Sequence, residues 1–158
     1  MKTRATISSI IAAFTLLAST SIALAADSKI HPGSMCGAYF GTDDSGMVKG
    51  LGRLLNDTGA AKWISCPVVR DNTINTNGLS SAYIRIKRST TATNDFWCSL
   101  DSRDTIGTGR AFASNTFTGT GYTSMSFNLT SSTSRGHYEI ICRVPRDSEI
   151  ISYRIDEF

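Results

Sequence analysis

The sequence predicts an all-β domain: a single antiparallel β-sandwich, jelly-roll-like or immunoglobulin-like, of about eight to nine short strands with two disulfides. Three observations carry that expectation. From Asp27 on, clusters of Gly, Ser, Thr, Asn and Asp recur between short runs in which apolar and polar residues alternate, the spacing of strands and turns in sandwiches and barrels. No stretch holds a helical period. Residues 47–62 come nearest, but Gly50, Gly52 and Gly59 interrupt them, and a glycine costs a helix interior about 1 kcal/mol relative to alanine. Finally, the cysteines Cys36, Cys66, Cys98 and Cys142 all follow a segment that reads as an export signal, and an even cysteine count in an exported chain reads as a disulfide framework.

That signal occupies residues 1–26. Lys2 and Arg4 give a positive start, Ile7 to Ala18 is largely apolar and uncharged, and Ala23 and Ala25 are the small residues of a cleavage site after Ala25 or Ala26. A membrane-spanning helix needs about 20 predominantly apolar residues, and Ser8, Ser9, Thr15, Ser19, Thr20 and Ser21 break this run. No second long apolar run follows, so no membrane span is expected after cleavage. No cysteine follows the cleavage region, which argues against a lipid anchor. The expected destination is secreted or periplasmic. Residues 27–158, roughly 132 of them, then fit one domain.

Losing Lys2 and Arg4 lowers the net charge from +3 to +1 (3 − 2). Nucleic-acid binding shows a strongly basic, clustered footprint, so no nucleic acid is expected as a partner. Arg85, Lys87, Arg88, Arg103 and Arg110 read at most as one solvated cationic sheet face.

In chain order, residues 30–36 read as an extended lead, residues 37–40 as a first strand and residues 41–46 as a turn. Residues 51–56 and 61–69 are the next strands. Pro67 cannot donate a ladder hydrogen bond, so the second of these lies at an edge or bends. A polar loop over residues 71–81 leads into residues 82–88, with Ala82, Ile84 and Ile86 inward and Tyr83, Arg85 and Lys87 outward. Residues 95–100 and 105–117 follow, then the alternation of Met125, Phe127 and Leu129. Residues 136–144 form a strand stopped by Pro145, and residues 149–158 close the chain with Ile151, Tyr153 and Ile155 on one face. Two packed sheets bury one side of each strand most economically.

Four cysteines allow three pairings, and strand parity chooses among them. Cys98 shares a face with Phe96 and Leu100, and Cys142 with Tyr138, Ile140 and Val144. Both faces are core-directed, so Cys98 pairs with Cys142 and Cys36 with Cys66. Zinc is disfavoured: no two cysteines are two to four residues apart, and the only histidines are His31 and His137.

Other chemistries find thin support. There is no Gly-x-Ser-x-Gly elbow. His137 faces away from the core, and His31 reads as a turn or surface residue. Asp43-Asp44 sits in a glycine-bounded turn, where aspartate serves local hydrogen bonds; calcium is the weak alternative there, and no other cofactor is expected. Arg70 shares parity with Ile64, Cys66 and Val68, at the rim of the core, where an ion pair or a bond to a loop carbonyl suits it. Trp63 and Trp97 have the opposite parity to their neighbouring cysteines, which puts each on an outer sheet face, the usual platform for a sugar. Asn56-Asp-Thr58 and Asn128-Leu-Thr130 match the glycosylation acceptor, relevant only in a eukaryotic source.

The segments His31-Pro-x-x-x-Cys36, Cys66-Pro-Val-Val-Arg-Asp71, Trp97-Cys98 and Tyr138-x-Ile-x-Cys142 resemble small uncharacterised exported bacterial proteins that share a Cys-Pro-x-x-Arg-Asp segment. The resemblance implies an exported, disulfide-linked β-sandwich-like domain and carries no catalytic residue. The expected function is a binding or structural module, for carbohydrate or a surface protein, with Trp63, Trp97, Asp43 and Asp44 as candidate binding residues. The alternative is a small secreted hydrolase using Asp43, Asp44, Asp71 and His137.

Overall fold

The computed structural model describes residues 28–39, 44–70 and 76–157, and the signal segment, Asp43 and Asp71 lie outside them. Two antiparallel sheets face each other across an apolar core, as expected. The strands are β1 (Ser28–Pro32), β2 (Gly37–Ala38), β3 (Met47–Gly50), β4 (Arg53–Asn56), β5 (Lys62–Val68), β6 (Leu79–Arg88), β7 (Phe96–Arg103), β8 (Gly109–Phe117), β9 (Gly121–Phe127), β10 (His137–Val144) and β11 (Glu149–Glu157). The six-stranded sheet runs β3-β4-β11-β6-β9, with β1 also on β11; the five-stranded sheet runs β2-β5-β10-β7-β8. Among the described residues, no helix is long and apolar enough to cross a membrane.

Two strands exceed the nine that the alternation predicts. In β1, His31 lies opposite Tyr153 and stacks on it, ring centroids 4.9 Å apart. His31 is therefore a packed strand residue and not a turn or surface one. Pro32 ends that strand, where a missing N–H is tolerated. Strand β3 forms a hairpin with β4 through Leu51 (φ 50°) and Gly52 (φ 77°). Two positive φ values are those of a type I′ turn, whose twist matches paired strands. Leu51 and Gly52 are thus the turn itself and not the start of a strand.

A second difference falls in β11. Ile150 pairs with Ile86 and Ser152 with Arg85, so Ile151 is an extra residue, a β-bulge. The bulge resets parity. Ile150, Tyr153 and Ile155 are buried, whereas Ile151 is only partly covered; the face shared by Ile151, Tyr153 and Ile155 does not exist.

Both disulfides form as the parity argument predicts, Cys36–Cys66 and Cys98–Cys142, each with Cα atoms 4.1 Å apart. Cys98 and Cys142 are direct partners across β7 and β10. So short a Cα separation marks a non-hydrogen-bonded pair. The N–H and C=O of Cys142 then face β5, and by alternation the backbone polar groups of Pro67 turn away from β10. Strand β2 reaches only Ser65 and Ile64, so Pro67 sits where β5 is an edge, and its absent N–H breaks no ladder. Its carbonyl accepts a 2.7 Å hydrogen bond from Tyr153 Oη, joining the two sheets.

Polar groups at the rim are similarly spoken for. Arg70 is 7 % exposed, donates to Thr133 O and Ser132 Oγ, lies 3.4 Å from Glu157 Oε1, and stacks over Tyr138. Asn56 is fully buried and gives its amide to Ala60 O and Val144 O, which removes it as a glycosylation acceptor in the folded chain. Arg88 is buried and donates to the carbonyls of Ala92, Asn94, Thr118 and Gly119. Because Arg88 is buried and Arg103 belongs to the other sheet, the single cationic face is not formed; the Arg110 side chain lies outside the described set.

Candidate functional site

Alternation decides what the outer face of the five-stranded sheet displays. On β5, β10 and β7, the residues out of step with the core include Trp63, Ser65 and Pro67; Glu139, Ile141 and Arg143; Trp97, Ser99, Asp101 and Arg103. Register lines them up. Trp63, Arg143, Trp97 and Thr116 form one row; Ser65, Ile141, Ser99 and Ser114 the next; Pro67, Glu139, Asp101 and Phe112 a third.

The first row is aromatic. The Trp63 and Trp97 rings meet edge to face, centroids 5.6 Å apart and planes at 73°. Trp63 keeps 45 % of its surface exposed. With Arg143, Thr116 and Asp95 the pair lines a cleft of about 300 Å³. Arg143 Nε is shielded from solvent and has no hydrogen-bond partner, and no ion pair engages Arg143 among the described residues. A shielded donor without a partner costs free energy. Two rings at a steep angle make a corner at the surface. Beside them, Arg143 offers donors, Asp95 acceptors and Thr116 a hydroxyl of either kind.

The two carboxylates at the middle of the third row, Glu139 and Asp101, are bonded to residues of the adjoining rows. Arg103 Nε lies 3.0 Å from Glu139 Oε2, and Arg103 Nη2 lies 2.9 Å from Asp101 Oδ2. Ser65 donates to Glu139 Oε1 at 2.6 Å, and Ser99 to Asp101 Oδ1 at 2.7 Å. Burial works against the charge on Arg103, but Glu139, Tyr39 and Asp101 outweigh it and raise its pKa. This group lies beside a broader depression of about 500 Å³ lined in part by Tyr39, Ser65, Arg103, His137 and Glu139. It presents fixed acceptors and hydroxyls along the same face as the tryptophans.

No family model matches the sequence, and no curated protein matches it. A solved structure to which the chain is similar is the Podospora anserina GH26-CBM35 β-(1,4)-mannanase, at 13 % identity and a TM-score of 0.47. The matched region covers 83 % of this chain but 28 % of that one. No property of the mannanase passes to this chain on a likeness of that size.

Of the residues singled out from sequence, Trp63 and Trp97 come together on one face. Asp44 does not join them: its carboxylate accepts from Ala38 N at 2.8 Å and lies 3.7 Å from Lys49 Nζ. Asp43 lies outside the described residues. Among the described residues no group of three or more His, Cys, Asp or Glu side chains converges as metal ligands would. His137 is exposed and lines the polar depression. Nothing in the sequence alone singles out Arg143, Asp95, Thr116 or the pairing of Arg103 with Glu139. Their shared outward parity was the available signal, but it needed the strand order to be read as one face.

Proposed function

We propose that this chain is an exported β-sandwich module that binds a neutral glycan on the outer face of its five-stranded sheet. The observation that carries the reading is the Trp63–Arg143–Trp97 row: two tryptophans partly open to solvent around a guanidinium that makes no hydrogen bond or ion pair among the described residues. Burying a tryptophan is a large gain in free energy, so leaving two at the surface is costly unless something covers them in use. A pyranose does so with its C–H face, while its hydroxyls reach Arg143, Asp95 and Thr116. The polar cluster of Glu139, Asp101 and Arg103 extends the same face and suits further hydroxyls. The two disulfides are of the kind an oxidising compartment maintains, and export by cleavage near Ala26 accounts for them; amino-terminal sequencing of the mature protein should begin at Ala26 or Asp27.

Native affinity electrophoresis through gels containing soluble neutral polysaccharides tests the binding. At least one polymer should retard the wild type, and Trp63→Ala or Trp97→Ala should relieve it. Truncating an anchoring tryptophan commonly costs about 2 kcal/mol or more, roughly thirtyfold in affinity. Retardation by none of the polymers, or retardation indifferent to both substitutions, would remove the glycan reading.

A further inference from the structure

The opposite face of the sandwich carries a second cleft of different chemistry, about 390 Å³, lined by Arg53, Arg85, Tyr122, Thr123, Ser124 and Ile151. It lies at the bulge, with Ile151 in its lining. The extra residue turns Ile151 and Ser152 outward together. Two cations at this end are fixed by one carboxylate: Glu149 accepts from Arg53 Nη1 through Oε2 and from Lys87 Nζ through Oε1, both at 3.3 Å. Lys87 also lies 5.5 Å from the Tyr122 ring centroid. Arg85, in register with Ser124 and Ser152, is exposed and has no hydrogen bond or ion pair among the described residues. Three cations against one carboxylate leave a local charge of +2 (3 − 1), with Arg85 uncompensated.

We propose that this cleft binds the carboxylate or sulfate group of an acidic polysaccharide. Arginine is suited to the anion because its planar fork matches an oxyanion in two-point fashion. The anion is part of a sugar polymer because the cleft offers more than charge. Tyr122 keeps 64 % of its surface exposed, a ring on which a sugar face can lie, and Thr123 and Ser124 stand beside it. The volume points the same way: a water takes about 30 Å³ in the liquid, so this cleft has room for an oxyanion and the ring that bears it. The site stands on the other sheet from the tryptophan row and does not depend on it.

The test is affinity electrophoresis and calorimetry of the full mature protein with polygalacturonate and dextran sulfate. Methyl-esterified pectin and unmodified dextran serve as their neutral counterparts. At low ionic strength at least one acidic polymer should bind while its neutral counterpart does not engage this cleft. Arg85→Ala should weaken that binding at least tenfold, Arg85→Lys less, and Trp63→Ala not at all; high salt should abolish it, since exposed charges are screened. Arg85 is exposed, so a matching far-UV spectrum should confirm that the variant folds. Absence of binding to both acidic polymers, or equal binding by wild type and Arg85→Ala, overturns the proposal. So does inorganic sulfate alone binding as tightly as the polymer, which would assign the cleft to a free oxyanion. Loss of acidic binding in Trp63→Ala with Arg85→Ala unaffected would place the anion on the wrong face.

Discussion

Replacing Tyr153 by Phe removes one oxygen from the middle of the sandwich and should change the stability of the protein in a pH-dependent way. Tyr153 is fully buried and its hydroxyl donates across the sheets to Pro67 O at 2.7 Å. Near neutral pH the variant loses that bond and leaves the carbonyl without this donor, at a cost of about 1–2 kcal/mol. Burial pushes the Tyr153 hydroxyl up to about 12 from 10.0. A raised folded pKa gives stability that is present in full below the unfolded value and is lost as pH rises toward the folded one. Two pK units correspond to about 3 kcal/mol, about half of it gone by pH 11. Phenylalanine has nothing to ionise. The stability gap between wild type and Tyr153→Phe should therefore shrink from pH 9 and close near pH 11. Tyr138, which burial also pushes up, is present in both proteins and cancels from the difference. Urea unfolding followed by far-UV circular dichroism at pH 7, 9, 10 and 11 measures it. Parallel pH profiles for the two proteins would refute the inter-sheet bond and the burial of the hydroxyl together.

Two further expectations concern residues at the edges of the fold. Burial, assisted by Lys29, lowers the pKa of His31 below 6.5, so the unfolded chain takes up a proton first as pH falls below that value. Stability should decline over that window, and His31→Phe, which keeps a ring against Tyr153, should flatten the decline in Tm between pH 7 and pH 5; an unchanged slope would contradict the packing of β1 on β11. At the β3–β4 turn, Leu51 is 98 % exposed at φ 50°, a conformation that asparagine before glycine suits far better. Leu51→Asn should raise stability by about 0.5–1 kcal/mol, read as a higher urea midpoint, and a lower midpoint would argue against the type I′ turn.

Much of the fold was legible because alternation along a strand is a local property. It put Cys98 and Cys142 on the core side, Trp63 and Trp97 on the other, and Arg70 at the rim, without any knowledge of topology. What it could not supply was the neighbour relation. Arg143 stands between Trp63 and Trp97 only because β10, far along the chain, inserts between β5 and β7. Glu139 meets Arg103 for the same reason, whereas Asp101, two residues before Arg103 on β7, reaches it by local alternation alone. A single inserted residue is harder still to see: the apolar pattern Ile150-Ile151-x-Tyr153-x-Ile155 is compatible with either parity, and the bulge chooses the one that buries Ile150. The strand at His31 is hidden in the sequence because proline after histidine reads as a break, whereas here Pro32 merely ends the strand. Asp44 drew notice as half of a carboxylate pair, yet its acceptors serve the backbone of Ala38 and the ammonium of Lys49.

The central claim is that the tryptophan row is a sugar-binding surface, and the protein has only two tryptophans. Each contributes one indole N–H signal to a ¹H–¹⁵N correlation spectrum, so two resonances report the whole of the aromatic row. Titration with the neutral oligosaccharide selected by electrophoresis should move both indole signals along one saturable curve, with a matching shift of the Arg143 side-chain Nε–H. If the oligosaccharide binds while both indole signals stay where they are, the site is elsewhere and the account of this face is wrong.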